Sequence, residues 1–446
     1  MRDRNEYIRQ LVHMAFGGCA LLLRYLTWWQ AASIAALAAL FNLFLLPRLG
    51  GRHLYRQSDI SRGFPAGIVL YPISVLLLIL LFPARPDIAA AAWAVLAFGD
   101  GMATIAGRAI GGPRIPWNRE KSWAGSSALF VAGAVTGALL AWWCRPAAHP
   151  PPMWFTLGAP VLAAFVAAWA ESIPIRLDDN LSVPAAAALV LWASSLVSAE
   201  AARAALTSLW PALGAGALLN GAVAWAGHRA RTVSVSGAIC GAVIGTLIFA
   251  GAGWTGWLLL LATFAAAVIT SRLGLRRKTL LGIAEERGGR RGASNALANT
   301  GIAAMAAMLA LLTETRDAAL LAFAAALAAG GSDTVASEIG KAWGRHAYLI
   351  STFRSVPPGT PGAVSIEGTA AGFVGALVLA GLAVSLGITP TAALVPLLLG
   401  ATLGSLAESL LGATLEPRGI LNNDLLNFLN TSIAAGAAVL LAGGGL

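Results

Sequence analysis

Apolar runs of about twenty residues follow one another along almost the whole chain, separated by short polar segments. Wound as a helix, a run of that length crosses a hydrocarbon layer of roughly 30 Å while satisfying its own backbone hydrogen bonds. The pattern predicts helices near 11–26, 29–47, 64–83, 88–107, 123–143, 153–173, 184–199, 204–227, 235–250, 254–271, 293–312, 318–340, 366–386, 390–411 and 427–444. The fold class this implies is an all-α polytopic membrane protein with about 15 transmembrane helices. Small residues recur within the runs, as in Gly237, Gly241 and Gly245, a spacing that lets helices approach closely.

The polar interruptions fix orientation. Alternating the helices from a cytoplasmic N-terminus places 48–63, 108–122, 174–183, 228–234, 272–292, 341–365 and 412–426 on the inside, and these segments hold nearly all the Lys and Arg. Outside fall only Arg24, Arg85, Arg145, Arg203 and Arg316 of the 30 cations. The asymmetry is that of a multi-pass protein of the cell (inner) membrane, with its polar motifs facing the cytoplasm. It also accounts for most of the net charge of +10, so the partner implied is the lipid bilayer and not nucleic acid. With 58% hydrophobic and 11% charged residues the chain is too apolar for a soluble globule. Cys19, Cys144 and Cys240 form no C-x-x-C pair, which excludes a zinc site or a disulfide framework. The start, M-R-D-R-N-E-Y-I-R, leads into an apolar run without an A-x-A cleavage site and reads as a retained first helix.

One set of polar motifs occurs twice, in the same order. F-G-D-G-M-A-T-I-A-G-R (Phe98 to Arg108) is answered by G-G-S-D-T-V-A-S-E-I-G-K (Gly330 to Lys341), K-S-W-A-G-S (Lys121 to Ser126) by V-S-I-E-G-T (Val364 to Thr369), and Glu171-Ser172 by Glu408-Ser409. Each E-S precedes an acidic, amide-rich loop, D-D-N-L from Asp178 and N-N-D-L-L-N from Asn422. Both copies fall on the same side of the membrane, so the expectation is two parallel-repeat halves, 1–228 and 229–446, joined by the basic segment His228 to Ser234.

A carboxylate inside a membrane helix costs on the order of 3 kcal/mol and usually serves a site. Asp100 and Asp333 are therefore the leading catalytic and metal-ligand candidates, each sharing a helix face with a hydroxyl (Thr104, Ser337) and a glycine (Gly107, Gly340). Glu171, Glu408 and Asp424 are further metal candidates on the same side of the membrane, and Asp179 and Glu408 further catalytic ones. Carboxylates so close would repel unless a cation joined them, and Mg²⁺ held by carboxylates and substrate phosphates suits them best. The Gly-, Pro- and cation-rich segments between offer phosphate-binding groups: Arg108, Lys121, Ser122, Gly125 and Ser126 in the first half, Lys341, Arg354, Ser365, Gly368 and Thr369 in the second. No Walker G-x-x-x-x-G-K-[S/T] occurs, which excludes a P-loop kinase, and G-A-G-W-T-G (Gly251 to Gly256) matches a dinucleotide fingerprint only by letter.

On R-Q-L-V-H, F-G-D-G-M-A-T-I-A-G-R, P-W-N-R-E-K-S-W-A-G-S and E-S-I-P-I-R-L-D-D-N-L-S-V-P, the first half resembles the phytol kinase and dolichol kinase family of CTP-dependent membrane kinases. On L-G-I-A-E-E-R-G-G-R-R-G, G-S-D-T-V-A-S-E-I-G-K, P-G-A-V-S-I-E-G-T, A-E-S-L-L-G-A and N-N-D-L-L-N-F-L-N-T, the second half resembles the membrane family that includes plant phytyl-phosphate kinases. The resemblance implies a bifunctional enzyme. An isoprenoid alcohol would become its monophosphate in the first half, and the monophosphate its diphosphate in the second, with CTP as donor and Mg²⁺ as cofactor. Lys121 has Val364 at the aligned place, so the second half must find its phosphate contact in Lys341, Arg345 or Arg354. Two other readings use the same features: a membrane cytidylyltransferase of the phosphatidate type, and a transporter with parallel repeats.

Overall fold

The computed structural model describes residues 2–46, 48, 66–173, 177–283 and 291–443. Most of the expected inner segment 48–63, Pro174 to Arg176 of the E-S-I-P-I-R motif, and residues 284–290 of the long basic stretch lie outside the described residues. The chain forms two compact units, Met1–Ser195 and Leu196–Leu446.

In the first unit, α1 (Arg2–Gly17) runs into a 3-10 turn and is followed by α2 (Trp28–Leu40), α3 (Ala66–Leu81) and α4 (Pro86–Ala109). A two-stranded antiparallel element, β1 (Arg114–Ile115) and β2 (Asn118–Ser122), leads into α5 (Trp123–Trp143), α6 (Met153–Ser172) and α7 (Asp179–Ser195). The second unit holds α8 (Ala199–Arg229), α9 (Val235–Arg272), the short α10 (Leu275–Leu280), α11 (Ala293–Leu312) and α12 (Arg316–Trp343). There follow a three-stranded antiparallel element of β3 (Ala347–Leu349), β4 (Ser355–Val356) and β5 (Ala363–Ser365), with β3 in the middle, and then α13 (Ile366–Ser385), α14 (Leu394–Thr414) and α15 (Asn423–Leu441).

Among the described residues, eleven helices are long and apolar enough to cross a membrane, fewer than the fifteen spans the hydropathy pattern suggests. Three of the expected spans fall short. The first helix begins among charges at Arg2 and ends at Gly17, while α3 and α7 have 16 and 17 residues. The runs 235–250 and 254–271 form one element, broken at Gly253, whose φ of 69° and ψ of −164° lie in a region essentially closed to side-chain-bearing residues. The chain divides at Ser195, upstream of the expected boundary at 228. The reason is local: the basic segment at 228–234 is a tight turn, with Thr232 Oγ1 donating to the Gly227 carbonyl at 2.9 Å and Ser234 Oγ accepting from Gly237 N at 3.1 Å. That turn folds α8 back along α9, so both belong to the second unit.

Helices α4 and α12 are the innermost spans of their units. Of their most apolar stretches 72% and 78% are buried, against 11–50% for every other span. Their alanine-rich sequences explain this, since small side chains let neighbours approach from all sides. In the first unit α4 packs against α3, α5 and α7, and in the second α12 packs against α9, α11, α13, α14 and α15. The helices that carry Asp100 and Asp333 are thus the cores of the two units.

Candidate functional site

In the first unit, α4 passes through a π-helical turn over Val95–Asp100 before resuming an α-helix at Gly101. Such a turn often marks a functional position, because the extra residue redirects one side chain. The turn ends on Asp100, which is 9% exposed. The end of α6 supplies Glu171 and the start of α7 supplies Asp179, and ligand atoms of Asp100, Glu171 and Asp179 lie within 4.8 Å of one another. Strand β2 brings Lys121 to the same point: its Nζ donates to Glu171 Oε1 at 2.5 Å and to Asp179 Oδ2 at 2.8 Å. Burial alone would favour loss of its proton, but the charges of Asp179 and Glu171 more than offset that and hold it protonated above the usual lysine range. Glu171 Oε2 and Ser126 Oγ are both buried, and Ser126 is the hydroxyl that acts on the Glu171 carboxylate. Three convergent carboxylates fit a divalent cation, which would take the place of the Lys121 ammonium beside Glu171. Asp178 stands apart from this cluster, its Oδ1 accepting from Asn180 N at 3.0 Å and Nδ2 at 2.7 Å at the start of α7.

Ser122 ends β2 and caps α5, its Oγ accepting from Gly125 N at 3.2 Å. A Cβ built on Gly107 would lie 3.3 Å from Ser122 Oγ and 3.6 Å from Gly125 Cα, so α4 and α5 cross where only glycine fits easily. Trp117 Nε1 donates to Ser172 Oγ at 3.2 Å and ties the strand pair to the end of α6. Arg108 lies exposed on the last turn of α4. His13 turns its Nε2 to the Leu96 carbonyl at 3.2 Å and packs edge-on against Tyr71.

The second unit builds a comparable arrangement. Asp333 on α12 and Glu408 on α14 lie within hydrogen-bonding reach of one another, and Lys341 and Arg291 are the cations that act on Asp333. Ser365 ends β5 and caps α13, accepting from Gly368 N at 3.1 Å, and a Cβ on Gly340 would lie 3.2 Å from Ser365 Oγ and 3.6 Å from Gly368 Cα. A cavity of about 550 Å³ opens here, lined by Asp333, Lys341, Ser365, Gly368, Thr369 and Glu408. Six positions singled out from sequence, far apart in the chain, therefore meet at one surface.

Two do not join them. Arg354 is exposed in the turn before β4, and Asp424 lies on α15 one residue after Asn423 and three before Asn427, which do line the cavity. Of the cations weighed against Lys121, Lys341 is the one in the lining, while Arg345 is exposed and its backbone N–H bonds Glu367 Oε1. Where Lys121 contacts Glu171 in the first unit, Glu408 accepts from Asn430 Nδ2 at 2.7 Å.

Sequence reasoning missed Asn430, Arg291, Asn295 and Glu416, the last three in the cavity wall. It also missed the buried ion pair of Lys278 on α10 with Glu338 on α12. Asn430, Glu338 and Arg291 sit inside the quoted motifs, so proximity was a usable signal; Lys278 is hidden in a run of cations that looks like an ordinary inner loop.

A family model described as integral membrane protein DUF92 matches residues 218–435. An uncharacterized membrane protein of Synechocystis is 39% identical over 200 residues, 44% of this chain and 78% of that protein. Protein VTE6, chloroplastic, of Arabidopsis thaliana is 36% identical over 218 residues, and probable phytol kinase 3, chloroplastic, of Glycine max is 33% identical over 196. The chain spans 65% and 61% of the lengths of these two plant proteins, and the matches take in 47% and 41% of it. No solved structure matches.

Proposed function

We propose, from the premise that this chain belongs to the DUF92 family of integral membrane proteins, that it is an isoprenoid kinase with two sites acting in sequence, one in each unit. Relatives named phytol kinase support the reaction class. The observation that carries the two-site reading is the recurrence, in each unit, of one arrangement: a buried helix bearing Asp (100, 333), a strand ending in a capping Ser (122, 365), a Gly–Gly helix crossing (107 with 125, 340 with 368), and a Glu from a later helix (171, 408).

In the first unit the alcohol oxygen would attack the γ-phosphorus of the donor, proposed to be CTP. The bond from that phosphorus to the β,γ-bridging oxygen breaks, the nucleoside diphosphate leaves, and the alcohol proton passes to Asp179. In the second unit the attacking group is a phosphate oxygen that already carries charge, and no base is required. There the residues near the carboxylates are amides, Asn423, Asn427 and Asn430. Such transfers depend on positioning and charge neutralisation. Asp100 and Glu171, and in the second unit Asp333 and Glu408, would hold Mg²⁺, which when bound neutralises phosphate oxygens. Lys121, Arg108 and Lys341 would hold phosphate, with the N-termini of α5 and α13 behind Ser126 and Thr369. The sites are proposed to face the cytoplasm of a cell membrane, as the cation asymmetry argues.

The test is thin-layer analysis of the purified protein with γ-labelled CTP, or labelled ATP, GTP or UTP, Mg²⁺, and a panel of isoprenoid alcohols and monophosphates. Asp100→Asn should still phosphorylate monophosphates, and Asp333→Asn should accumulate them. Absence of label in every lipid lane would remove the kinase reading.

A further inference from the structure

The second unit contains a further cavity that the carboxylate site does not use. It lies among α8, α9, α11 and α12, and its wall is mostly apolar, with Val223, Ile244, Trp257, Leu260, Leu261 and Phe264. Asn220, buried in that wall, is internally satisfied: its Oδ1 accepts from Trp257 Nε1 at 2.9 Å and its Nδ2 donates to the Gly216 carbonyl at 2.9 Å. Around Asn220 the wall is therefore apolar in its chemistry as well as in its composition. Three residues, Arg291, Asn295 and Thr334, line both this cavity and the one that holds Asp333 and Glu408. Arg291 is fixed at that junction by donating to Asn295 Oδ1 at 3.1 Å and to Ser271 Oγ at 3.4 Å. One turn along α11, Asn299 lines the apolar cavity, and its buried Oδ1 has no hydrogen-bond partner. The surface thus changes from hydrocarbon-like to cationic and polar across a few residues. That is the complement of a long apolar chain ending in an anionic head.

Resting on the kinase reading of the second unit, we propose that the apolar cavity among α8, α9, α11 and α12 binds the chain of an isoprenyl monophosphate. The junction of Arg291, Asn295 and Thr334 then receives its phosphate and presents it to the Asp333 and Glu408 site. The occupant is a single-chain isoprenyl phosphate and not a bilayer phospholipid, because the cavity continues into the residues that the transfer itself would use. The cavity then measures chain length, and Thr334, one residue from Asp333 on α12, sets how far the head group advances.

The site is open to a direct test in the full-length protein. Gly241 lines the cavity, and a Cβ there meets nothing within 4 Å, so Gly241→Leu and Gly241→Trp fill the space without disturbing the backbone. The probe is geranylgeranyl monophosphate carrying a diazirine near the end of its chain. Expected are crosslinks in α9 or α11 and a loss of labelling of about tenfold in Gly241→Trp with unchanged thermal unfolding. Gly241→Leu should raise KM for the long-chain monophosphate and leave geranyl monophosphate within about twofold. Labelling that is undiminished in both Gly241 variants, or that an excess of phosphatidylglycerol abolishes while unlabelled geranylgeranyl monophosphate does not, overturns the assignment. If labelling follows this pattern but no nucleotide phosphorylates any lipid, the chain-binding site stands and the kinase reading falls. If transfer proceeds and crosslinks map elsewhere, the reverse holds.

Discussion

At the scale of single residues, the first site turns on Lys121. Its ammonium occupies the space between Glu171 and Asp179, with 27% of the side chain exposed and only 4% of Glu171. Lys121→Met leaves a buried carboxylate without its cation, and should destabilise the protein by on the order of 2 kcal/mol, less than the roughly 3–5 of a wholly buried pair. The pH dependence has a definite sign. A lysine whose folded pKa is raised contributes stability that is fully present below its unfolded pKa and is lost only as pH rises through the folded value, which lies above the usual lysine range. The difference in thermal unfolding between wild type and Lys121→Met should therefore be flat from about pH 7 to about pH 9. A second residue reports on burial. Burial, reinforced by Asp87, pushes the Cys144 thiol up to about 12, so iodoacetamide at about pH 8 should leave it unmodified until the protein is denatured.

At the scale of elements, the helix crossings at Gly107–Gly125 and Gly340–Gly368 hold the capping serines beside the aspartate helices. A Cβ on Gly368 would lie 2.7 Å from the Ala336 carbonyl oxygen and 3.1 Å from Gly340 Cα, and both contacts are backbone that cannot rotate away. Gly368→Ala should cost about 1–3 kcal/mol in unfolding assays in detergent, and should reduce activity of the second site as α13 shifts. Gly241→Ala, with open space around its Cβ, should be neutral in the same assay. Gly253→Ala strains the break in α9 through its backbone angles alone and should lower the melting temperature.

At the scale of the molecule, each unit has its own apolar core, one around Ile88, Ala91 and Phe155 and the other around Ile248, Phe323 and Leu397. Two sites with separate cores imply that each survives loss of the other. Under the two-step proposal, Asp100→Asn and Asp333→Asn proteins, each blocked alone, should together convert alcohol to diphosphate when mixed in shared vesicles, because the monophosphate can leave one molecule and enter another. Failure of the mixture, with both single variants folded and each retaining its own half-reaction, would mean that the intermediate is not released.

The sequence by itself determined that this is a helical membrane protein, because runs of apolar residues of spanning length leave the backbone no other way to satisfy its hydrogen bonds. It also picked out Asp100, Asp333, Ser122, Ser365, Gly125 and Gly368, since a carboxylate, a cap or a glycine repeated in one order is visible in one dimension. Tertiary structure alone decided the rest. The short strands escaped the hydropathy pattern because two or three residues of pairing carry too little period to register. The choice between Asp424 and its neighbours depended on which face of α15 turns toward the cavity. The cavity wall formed by Arg291 and Asn295, and the pairing of Lys278 with Glu338, join elements dozens of residues apart, and only packing can bring such charges together. The unit boundary moved from 228 to 195 for the same reason: a basic segment reads as a linker, and only the contact of α8 with α9 shows that it is a turn within one unit.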